Sequence, residues 1–559
     1  MAQRIPCLLA LPLLAAALSC REPPSRAHDS TPVTDDLLLA SPTARAGWTT
    51  YGYAWDNQRY VPLTQIDRRT VRRLRKLWDH EPGTLFRTGS RNESTPIVVN
   101  DLLIYTDLNN LVMALDVRTG KELWRYQPDL GPTALCCGMV NRGVAAYGDK
   151  VYLATLDARV VALHRATGKV AWDVVAAAPA EGYSFTMAPL AVNGRIIVGA
   201  SGGEFGIRGF VDAYDAETGK RVWRFWTIPS PEQGGWYGKW STTTPDGERL
   251  PRDIAAEKRD SARFADAWRK GGAPVYSTPA YDPDLRLLYV ATGNPSWSDG
   301  MIPPGDNLYS TSLVAIDIDT GTLKWYYQMI PHNLWDFDAA SPPVLFEVPA
   351  GDSVIPAVGH AGKTGWVYVL DRRTGRQLRR SDPIVPLENI FPTPTRQGVR
   401  TSPGTRGGAN WPPPAYSPRT GAMYVLASHI PMTFVLDTAS SASKGMLHAF
   451  ARFELLPDSL NFGTFSAVNV ATGRIRWQRK VPGQLRFGGA VATAGDLVFF
   501  GRSQGLLEAV DAETGELLWQ FQAGKGALGP PIAFQVDDQQ RIAVTSRDGL
   551  TVFGLESDQ

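Results

Sequence analysis

The chain has 559 residues, a formal net charge of +2, and apolar and charged fractions of 43% and 20%. These proportions are typical of a globular protein, and the small net charge gives no indication of nucleic-acid binding. The 53 glycines and 42 prolines favour many tight turns over long helices. Beyond the N-terminus, no segment approaches the roughly 18 apolar residues that a membrane-spanning helix requires.

The first 20 residues have the pattern of a bacterial export signal. Arg4 supplies a positive charge, residues 5–18 form an apolar run, and the sequence ALSC that ends at Cys20 resembles a lipoprotein cleavage site. We therefore predict a signal peptide over residues 1–19 and a lipid anchor at Cys20, which would hold the protein at a membrane in the periplasm. Because alanine stands where leucine is commoner in such sites, cleavage without lipid, giving a soluble periplasmic protein, is the alternative.

Internal repeats predict the fold of the rest of the chain. Residues 20–46, rich in Pro, Ser, Thr and charge, predict a flexible tether, and a single domain is expected over 47–559. This domain holds seven copies of a pattern that first reads ALDVRTGKELW from Ala114, each with Thr-Gly between two alternating apolar runs. Such a copy predicts a strand, a tight turn and a second strand. The fifth copy ends in Arg379, and the other six end in tryptophan: Trp124, Trp172, Trp223, Trp325, Trp477 and Trp519.

Both ends of the domain carry partial copies of the repeat. An upstream segment ends in Trp78, and a last strand pair over 541–555 has no tryptophan. We predict an all-β, eight-bladed β-propeller whose ring is closed by the two chain ends, with the tryptophans docking each blade on the next. Gaps at 228–272, 380–410 and 430–462 predict loops inserted on one rim, where substrate specificity is commonly determined.

The cysteines predict one unusual disulfide. Cys7 leaves with the signal peptide and Cys20 is blocked by lipid, so the adjacent pair Cys136 and Cys137 is left in an oxidising compartment, where thiols tend to pair. Their Cα atoms are only about 3.8 Å apart, below the usual range of roughly 4.4–6.8 Å, so the bridge would be a strained ring. Strain of this kind tends to lie at functional sites. Two free buried thiols are the alternative.

Residues that break the repeat pattern carry the indications of function. They form an ordered series of motifs: ESTP at Glu93, CCGMVNRG over 136–143, ASGGEFGIRG over 200–209, ATGNP around Asn294, PGDN at Pro304, PHNLWDFD ending at Asp338, GKTGWVYVLDR around Lys363, GGANW ending at Trp411, and FGG at Phe487. This series resembles the pyrroloquinoline quinone (PQQ)-dependent alcohol dehydrogenases, the quinoprotein family that includes methanol and ethanol dehydrogenases. The resemblance covers residues 48–555 and implies an oxidoreductase that uses PQQ and one metal ion to oxidise an alcohol.

PQQ is a flat ortho-quinone with three carboxylates, so its site needs cations and two faces that enclose the ring. Arg142 offers a rigid bidentate donor and Lys363 a point charge, at the position where this family uses Lys or Arg beside the quinone oxygens. The resemblance places the ring formed by the two cysteines on one face of PQQ. It assigns further residues to the same pocket: Glu93, Thr155, Ser201, Gly202, Gly203, Asn410 and Trp411.

Three positions depart from the family pattern. Tyr276 stands where methanol-oxidising relatives carry a tryptophan on the second face of PQQ, and tyrosine can still stack, with less area. Pro274 replaces a threonine that usually donates to the cofactor, and Phe487 replaces a tryptophan seen in many relatives. The resemblance therefore predicts alcohol oxidation more firmly than any named alcohol.

Oxygen ligands for the metal ion also follow from the resemblance. It makes Glu204 and Asn294 ligands, which suit a hard cation, and makes Asp336 both the catalytic base and a ligand. Asp338 lies two residues later, so an extended backbone would place both carboxylates on one face, where a cation would compensate their repulsion. The lanthanide-dependent branch has Asp at this position and calcium-type methanol dehydrogenases have a small residue, so we predict a lanthanide, with Ca²⁺ as the alternative. Without a metal, Asp338 would be a solvated loop residue.

In the predicted reaction, Asp336 takes the alcohol proton as a hydride passes to PQQ, and Arg142 and Lys363 stabilise charge on the quinone oxygens. No Cys-x-x-Cys-His haem-attachment motif is present in the sequence, so the electrons are expected to pass to a separate cytochrome c. One alternative is a quinoprotein that oxidises sugars or polyols, since some of these carry a similar Asp pair. Another is a non-catalytic scaffold lipoprotein, which would have no reason to retain Glu204, Asn294 and Asp336 together.

Overall fold

The Thr-Gly repeats form antiparallel strand pairs in the computed structural model, which describes residues 31–39, 47–84, 91–133, 135, 137–297, 301–436 and 451–556. In the first copy the strands are Val112–Asp116 and Glu122–Tyr126. The carboxylate of Asp116 accepts hydrogen bonds from the backbone N–H and the hydroxyl of Thr119, both at 2.8 Å, and Gly120 has a φ of +72°. The turn is therefore specified locally, because a short polar side chain bonds its own backbone and glycine tolerates a left-handed conformation.

Eight sheets of four or five strands, numbered in chain order, account for most of the described residues. The first four sheets each contain four consecutive strands. Sheet one has Ile97–Val99, Leu102–Thr106, Val112–Asp116 and Glu122–Tyr126; sheet two has Ala145–Tyr147, Lys150–Ala154, Arg159–His164 and Val170–Val175. Sheet three has Leu190–Val192, Arg195–Gly199, Phe210–Asp215 and Arg221–Trp226; sheet four has Ala280–Asp282, Leu287–Ala291, Ser312–Asp317 and Leu323–Gln328.

Sheet five again has four consecutive strands, sheet six is interrupted by an insertion, and sheets seven and eight each accept a strand from the N-terminal part of the chain. Sheet five has Val344–Ala350, Ser353–Ala361, Val367–Asp371 and Gln377–Arg380; sheet six has Ala415–Ser417, Ala422–His429, Phe462–Asn469 and Ile475–Pro482. Sheet seven has Ala490–Thr493, Leu497–Gly501, Leu506–Asp511 and Leu517–Gln522, with Tyr60–Val61 added in parallel; sheet eight has Ile532–Val536, Gln539–Ser546, Gly549–Leu555 and Leu74–His80. A smaller sheet has Val399–Thr401, Met432–Leu436 and Ala451–Leu455.

The repeat tryptophans join one sheet to the next, as predicted. The indole N–H of Trp124 donates to the carbonyl of Arg165 at 2.9 Å, and its ring covers Gly168 so closely that a Cβ there would come within 2.5 Å. Arg379, which replaces tryptophan in the fifth copy, makes the equivalent donation to the carbonyl of Ala471 at 3.1 Å. Four further indoles donate to carbonyls in the next copy: Trp172, Trp223, Trp325 and Trp477.

The two ends of the domain share sheet eight. Leu74–His80 pairs antiparallel with Gly549–Leu555, so an N-terminal strand completes a sheet that the C-terminal strands begin. Trp78 lies against Gly120 in the turn of the next repeat, just as Trp124 lies against Gly168. The segment that ends in Trp78 is therefore a true, degenerate copy of the repeat.

Burial differs between the inner and outer strands of each sheet. All five residues of Leu102–Thr106 are buried, whereas only Trp124 is buried in Glu122–Tyr126. The inner strand is covered on both faces because neighbouring sheets pack against it. Each fully buried aliphatic side chain contributes about 1.5–3 kcal/mol, so the inner strands supply most of the stability.

The inserted segments contain regular structure. The segment over 228–272 includes the helix Ile254–Asp260, and the segments over 380–410 and 430–462 contribute strands to the three-stranded sheet. Helices are otherwise short, and within the described ranges none is long and apolar enough to cross a membrane.

Residues 31–39 correct one prediction about the N-terminal segment. They include the helix Asp35–Leu39, whose Leu38 is fully buried, and the carboxylate of Asp35 accepts a hydrogen bond from the Tyr147 hydroxyl at 2.9 Å. The prediction of a flexible tether is therefore wrong for this part, because apolar and polar contacts with sheet two hold it in place. The predicted signal peptide and Cys20 lie outside the described residues.

Candidate functional site

A cavity of about 540 Å³ brings together most of the predicted site residues. Its lining combines cations, carboxylates and aromatic rings from distant parts of the chain. The predicted residues that line it are Cys137, Arg142, Ser201, Gly202, Glu204, Tyr276, Asn294, Asp336, Asp338, Lys363, Asn410 and Trp411.

Asp336 lies in a loop that Asn333 holds in shape. Asn333 is buried; its side-chain oxygen accepts a hydrogen bond from the N–H of Trp335 at 2.9 Å, and its amide donates to the carbonyl of Phe337 at 2.8 Å. Asp336 itself has a φ of +58°, which is uncommon for a residue with a side chain. The loop therefore turns at Asp336 rather than running straight.

This conformation differs from the extended backbone predicted for residues 336–338. An extended backbone was expected to place both carboxylates on one face, but the left-handed turn at Asp336 breaks that alternation. The two carboxylates instead converge on the ammonium of Lys363, which lies 3.3 Å from Asp336 Oδ2 and forms an ion pair with Asp338 Oδ2. Lys363 also donates to the backbone carbonyl of Asp336 at 2.9 Å.

The charges in this cluster shift one another's titration. Burial, together with the neighbouring carboxylates of Asp338 and Glu204, raises the pKa of Asp336 to about 7, although Lys363 opposes the rise. Burial alone would lower the pKa of Lys363, but the two aspartates raise it. Lys363 is therefore a fixed positive charge beside the carboxylate predicted to act as a base.

The predicted metal ligands share the cavity and offer the right kind of donor. Burial raises the pKa of Glu204, and the charge of Asp338 adds to the rise. The backbone N–H of Asn294 donates to Asp338 Oδ1 at 2.8 Å, which fixes the position of that carboxylate. Carboxylate and amide oxygens suit a hard cation. In the described part of the chain, however, no three Asp, Glu, His or Cys side chains already stand together as a metal cluster, and the ammonium of Lys363 contacts both aspartates.

Arg142 is a second anchored cation of the wall. It is buried, forms a 2.7 Å ion pair with Glu93, and donates to the carbonyl of Tyr276 at 3.1 Å. Its guanidinium carbon lies 5.0 Å from the ring centroid of Trp411 and 5.6 Å from that of Tyr276. A rigid bidentate donor beside two aromatic rings is suited to a flat anionic ligand.

Three residues assigned to the pocket do not line the cavity. Glu93 lies behind the wall, where it pairs with Arg142 and, at 2.7 Å, with Arg91. The Thr155 hydroxyl bonds Asp157 instead. The carbonyl of Gly203 accepts a hydrogen bond from Ser296. Glu93 therefore orients cavity arginines, whereas the other two residues support the backbone.

The cysteine prediction is only partly within the described residues. Cys137 is disulfide-bonded and lines the cavity, and its predicted partner Cys136 lies outside the described residues. Gly202 next to the cavity has a φ of +112°, and a Cβ there would come within 2.0 Å of a carbonyl oxygen, so only glycine fits.

Sequence reasoning missed three arginines of the cavity wall, Arg91, Arg406 and Arg486. Each lies within four residues of a recognised motif, since Arg91 precedes ESTP, Arg406 precedes GGANW and Arg486 precedes FGG. Position beside a motif was the available signal. Pro274 and Phe487, noted above as departures from the family pattern, also line the cavity. The remaining lining residues are Leu135, Gly138, Val140, Ser184, Thr186, Phe205 and Thr405.

The inserted segments contribute less to the cavity than predicted. Thr405, Arg406 and Asn410 line it, and all three belong to the segment over 380–410. Among the described residues, none from 228–272 or 430–462 does so. The second insertion therefore shapes the cavity directly.

Comparison with known proteins agrees with the fold and the motifs. A family model described as "PQQ: Glucose/ethanol/alcohol dehydrogenase, beta-propeller domain" matches residues 48–384 and 379–542. The quinoprotein alcohol dehydrogenase PedH of Pseudomonas putida is 34% identical over 92% of this chain and 88% of its own. The lanthanide-dependent methanol dehydrogenase of Methylorubrum extorquens is 33% identical over 88% of this chain and 85% of its own.

Solved structures give the same result. The quinohemoprotein alcohol dehydrogenase ADHIIG of Pseudomonas putida superimposes with a TM-score of 0.82 at 30% identity, covering 94% of this chain and 83% of its own. A europium-containing methanol dehydrogenase gives a TM-score of 0.79 at 31% identity, covering 92% of both chains. The fold is thus a β-propeller, and the chain belongs to the family of PQQ-dependent quinoprotein alcohol dehydrogenases.

Proposed function

We propose that this protein is a periplasmic dehydrogenase that oxidises an alcohol with PQQ and one metal ion and passes the electrons to a separate cytochrome c. The observation that carries the proposal is the convergence of Asp336, Asp338 and Lys363 in a cavity walled by Arg142 and aromatic rings. A lipid anchor at Cys20 and a ring of eight blades closed through sheet eight are parts of the same proposal.

When bound, PQQ accepts a hydride and the metal ion polarises its carbonyl. The residues proposed to hold the metal are Glu204, Asn294, Asp336 and Asp338, whose donors are all oxygen atoms. Lys363 would then exchange part of its contact with the two aspartates for contact with the quinone oxygens, where its charge stabilises the reduced cofactor.

The proton of the substrate hydroxyl is proposed to pass to a carboxylate oxygen of Asp336 as the hydride leaves the carbinol carbon. The alcohol thereby loses two electrons and becomes an aldehyde or ketone, and the two electrons leave to the cytochrome. Asn333 holds Asp336 in position for this transfer, since it bonds the backbone on both sides of that residue.

Arg142 is proposed to bind a carboxylate of PQQ, because its fork-shaped donors suit a planar anion and Glu93 fixes their direction. Tyr276 and Trp411 would cover the ring. Burial, with the nearby charge of Asp338 adding to the effect, raises the pKa of Tyr276 well above its ordinary value, so Tyr276 remains neutral.

Reconstitution of the purified protein with PQQ and either Ca²⁺ or a light lanthanide tests the proposal. We expect dye-linked oxidation of primary alcohols with PQQ present, and greater activity with the lanthanide than with Ca²⁺. In Asp338→Ala this preference should be reduced, because the fourth oxygen ligand is removed. Activity on sugars alone would assign the protein to the sugar-oxidising quinoproteins, and absence of activity with every cofactor combination would contradict the proposal.

A further inference from the structure

Two arginines at the mouth of the cavity have no role in the reaction described so far. Arg406 is exposed, and Arg486 is half-buried next to Phe487, whereas Arg142 and Lys363 are buried deeper in the wall. The cavity therefore has buried cations at its floor and further cations where a substrate must enter.

The floor cations are matched by carboxylates and the mouth cations are not. Arg142 pairs with Glu93, and Lys363 pairs with both aspartates. Across the described ranges, neither Arg406 nor Arg486 forms an ion pair or a side-chain hydrogen bond, and Nε of Arg486 is buried without a partner. A buried donor without an acceptor is costly, so this position favours an incoming anion.

The electrostatics of Arg486 agree with its lack of a partner. Burial, with repulsion from Arg406 and Arg91, lowers the pKa of Arg486 to about 10. Of the neighbouring groups, the carboxylate of Glu93 opposes this shift, but it is already paired with Arg91 and Arg142. Positive charge is therefore in excess at this end of the cavity.

The guanidinium of Arg486 lies beside an aromatic ring. Its central carbon lies 5.0 Å from the ring centroid of Phe487, and that of Arg91 lies 4.8 Å from the same centroid. The ring of Phe487 is in turn 6.5 Å from that of Trp411. Cation–π attraction to the ring uses none of the N–H donors of Arg486, which can therefore bind a carboxylate with two parallel hydrogen bonds.

We propose that Arg406 and Arg486 bind the carboxylate of the substrate, so that the preferred substrates are hydroxycarboxylates whose hydroxyl reaches Asp336 while the carboxylate stays at the mouth. The aliphatic part of such a molecule would lie against apolar residues that line the cavity, among them Leu135, Val140 and Phe205. The proposal rests on the function proposed above and specifies its substrate class.

The kinetic test compares ω-hydroxyhexanoate with its methyl ester, which has the same hydroxyl but no charge. In the PQQ-loaded enzyme at low ionic strength, kcat/KM should be higher for the acid, and the preference should decline with added salt. In the double variant Arg406→Gln/Arg486→Gln, the ratio of acid to ester should fall at least about tenfold, mainly through KM for the acid. Arg376→Gln, an exposed arginine in the turn of sheet five, is the matched control and should retain the ratio. A wild-type enzyme that favours the ester, or an unchanged ratio in the double variant, would overturn the proposal.

A binding measurement separates substrate from cofactor, since PQQ also carries carboxylates. Hexanoate, which has no hydroxyl to oxidise, should bind the PQQ-loaded wild-type protein in calorimetric titrations and bind the double variant at least about tenfold more weakly. If the double variant instead loses affinity for PQQ and still binds hexanoate, the arginines serve the cofactor and the proposal is wrong. If no alcohol is oxidised by any reconstituted form, the proposed function fails, and hexanoate titration still decides whether the arginines form an anion site.

Discussion

Tryptophan has different roles in the two regions: in the repeat turns it packs one sheet on the next, and in the cavity wall it also faces the cavity. Trp124 covers a glycine of the next repeat and donates its indole N–H to a backbone carbonyl, so every part of it is used in packing. Trp411 also packs closely, but one side of it faces the cavity, with the guanidinium of Arg142 5.0 Å from its ring centroid. Residues that follow the repeat build the propeller, and residues that interrupt it supply the chemistry.

Replacing each tryptophan in turn should distinguish these two roles. The largest expected effect on stability is that of Trp124→Ala. Trp124→Ala should lower the free energy of unfolding by about 3–5 kcal/mol, because a large buried ring leaves a cavity. Gly168→Ala should also destabilise, since its Cβ would lie 2.5 Å from the Trp124 ring, and the double variant should lose less than the sum. Urea unfolding measures all three.

Trp411→Ala should instead reduce PQQ affinity more than Trp124→Ala does. Equal effects of both substitutions on PQQ binding would contradict the different roles assigned to the two tryptophans.

Two asparagines that bond nearby backbone groups, buried Asn333 and half-buried Asn469, give a smaller and sharper comparison. Asn333→Ala should lower kcat about tenfold to a hundredfold, because buried backbone groups beside Asp336 lose their partners at about 1–3 kcal/mol each. Asn469→Ala removes the same kind of side-chain bonds from the repeat turn of sheet six and is the matched control. It should lower stability without lowering kcat per folded molecule. A kcat of Asn333→Ala equal to that of Asn469→Ala would show that Asn333 does not position the base.

The smallest expected effect concerns the fold rather than the site. Burial lowers the pKa of His332 to about 4, so the folded protein keeps this ring neutral. Stability from this residue is complete above the unfolded pKa of about 6.5 and is lost as pH falls toward 4, at up to about 1.4 kcal/mol per pH unit. His332→Gln should flatten the decline of the unfolding free energy over this range. A steep decline that persists in His332→Gln would assign the pH dependence to other groups.

Local signals made the fold predictable from the sequence. The turn from Asp116 to Gly120 is determined by side chains that bond their own backbone, so the repeat was visible without tertiary knowledge. The docking role of tryptophan followed from its period. Residues 31–39 were not predictable, because their composition is that of a linker and only contacts with sheet two hold them.

The sequence predicted which residues form the site but not how they are arranged. Motifs identified Asp336, Asp338 and Lys363. Their ion pairs, however, join residues more than 20 positions apart, and they depend on a left-handed turn at Asp336 that no local sequence pattern predicts. Arg406 and Arg486 were missed because a single arginine beside a motif is ordinary. Only the fold shows that both face one cavity without carboxylate partners.

The most direct test of the central claim is Asp336→Asn in the enzyme loaded with PQQ and metal. Turnover per bound PQQ should fall about a hundredfold to ten-thousandfold, because the amide cannot take the hydroxyl proton, while titration still detects tightly bound PQQ. Turnover close to that of the wild type, with PQQ bound, would contradict the assignment of Asp336 as the base.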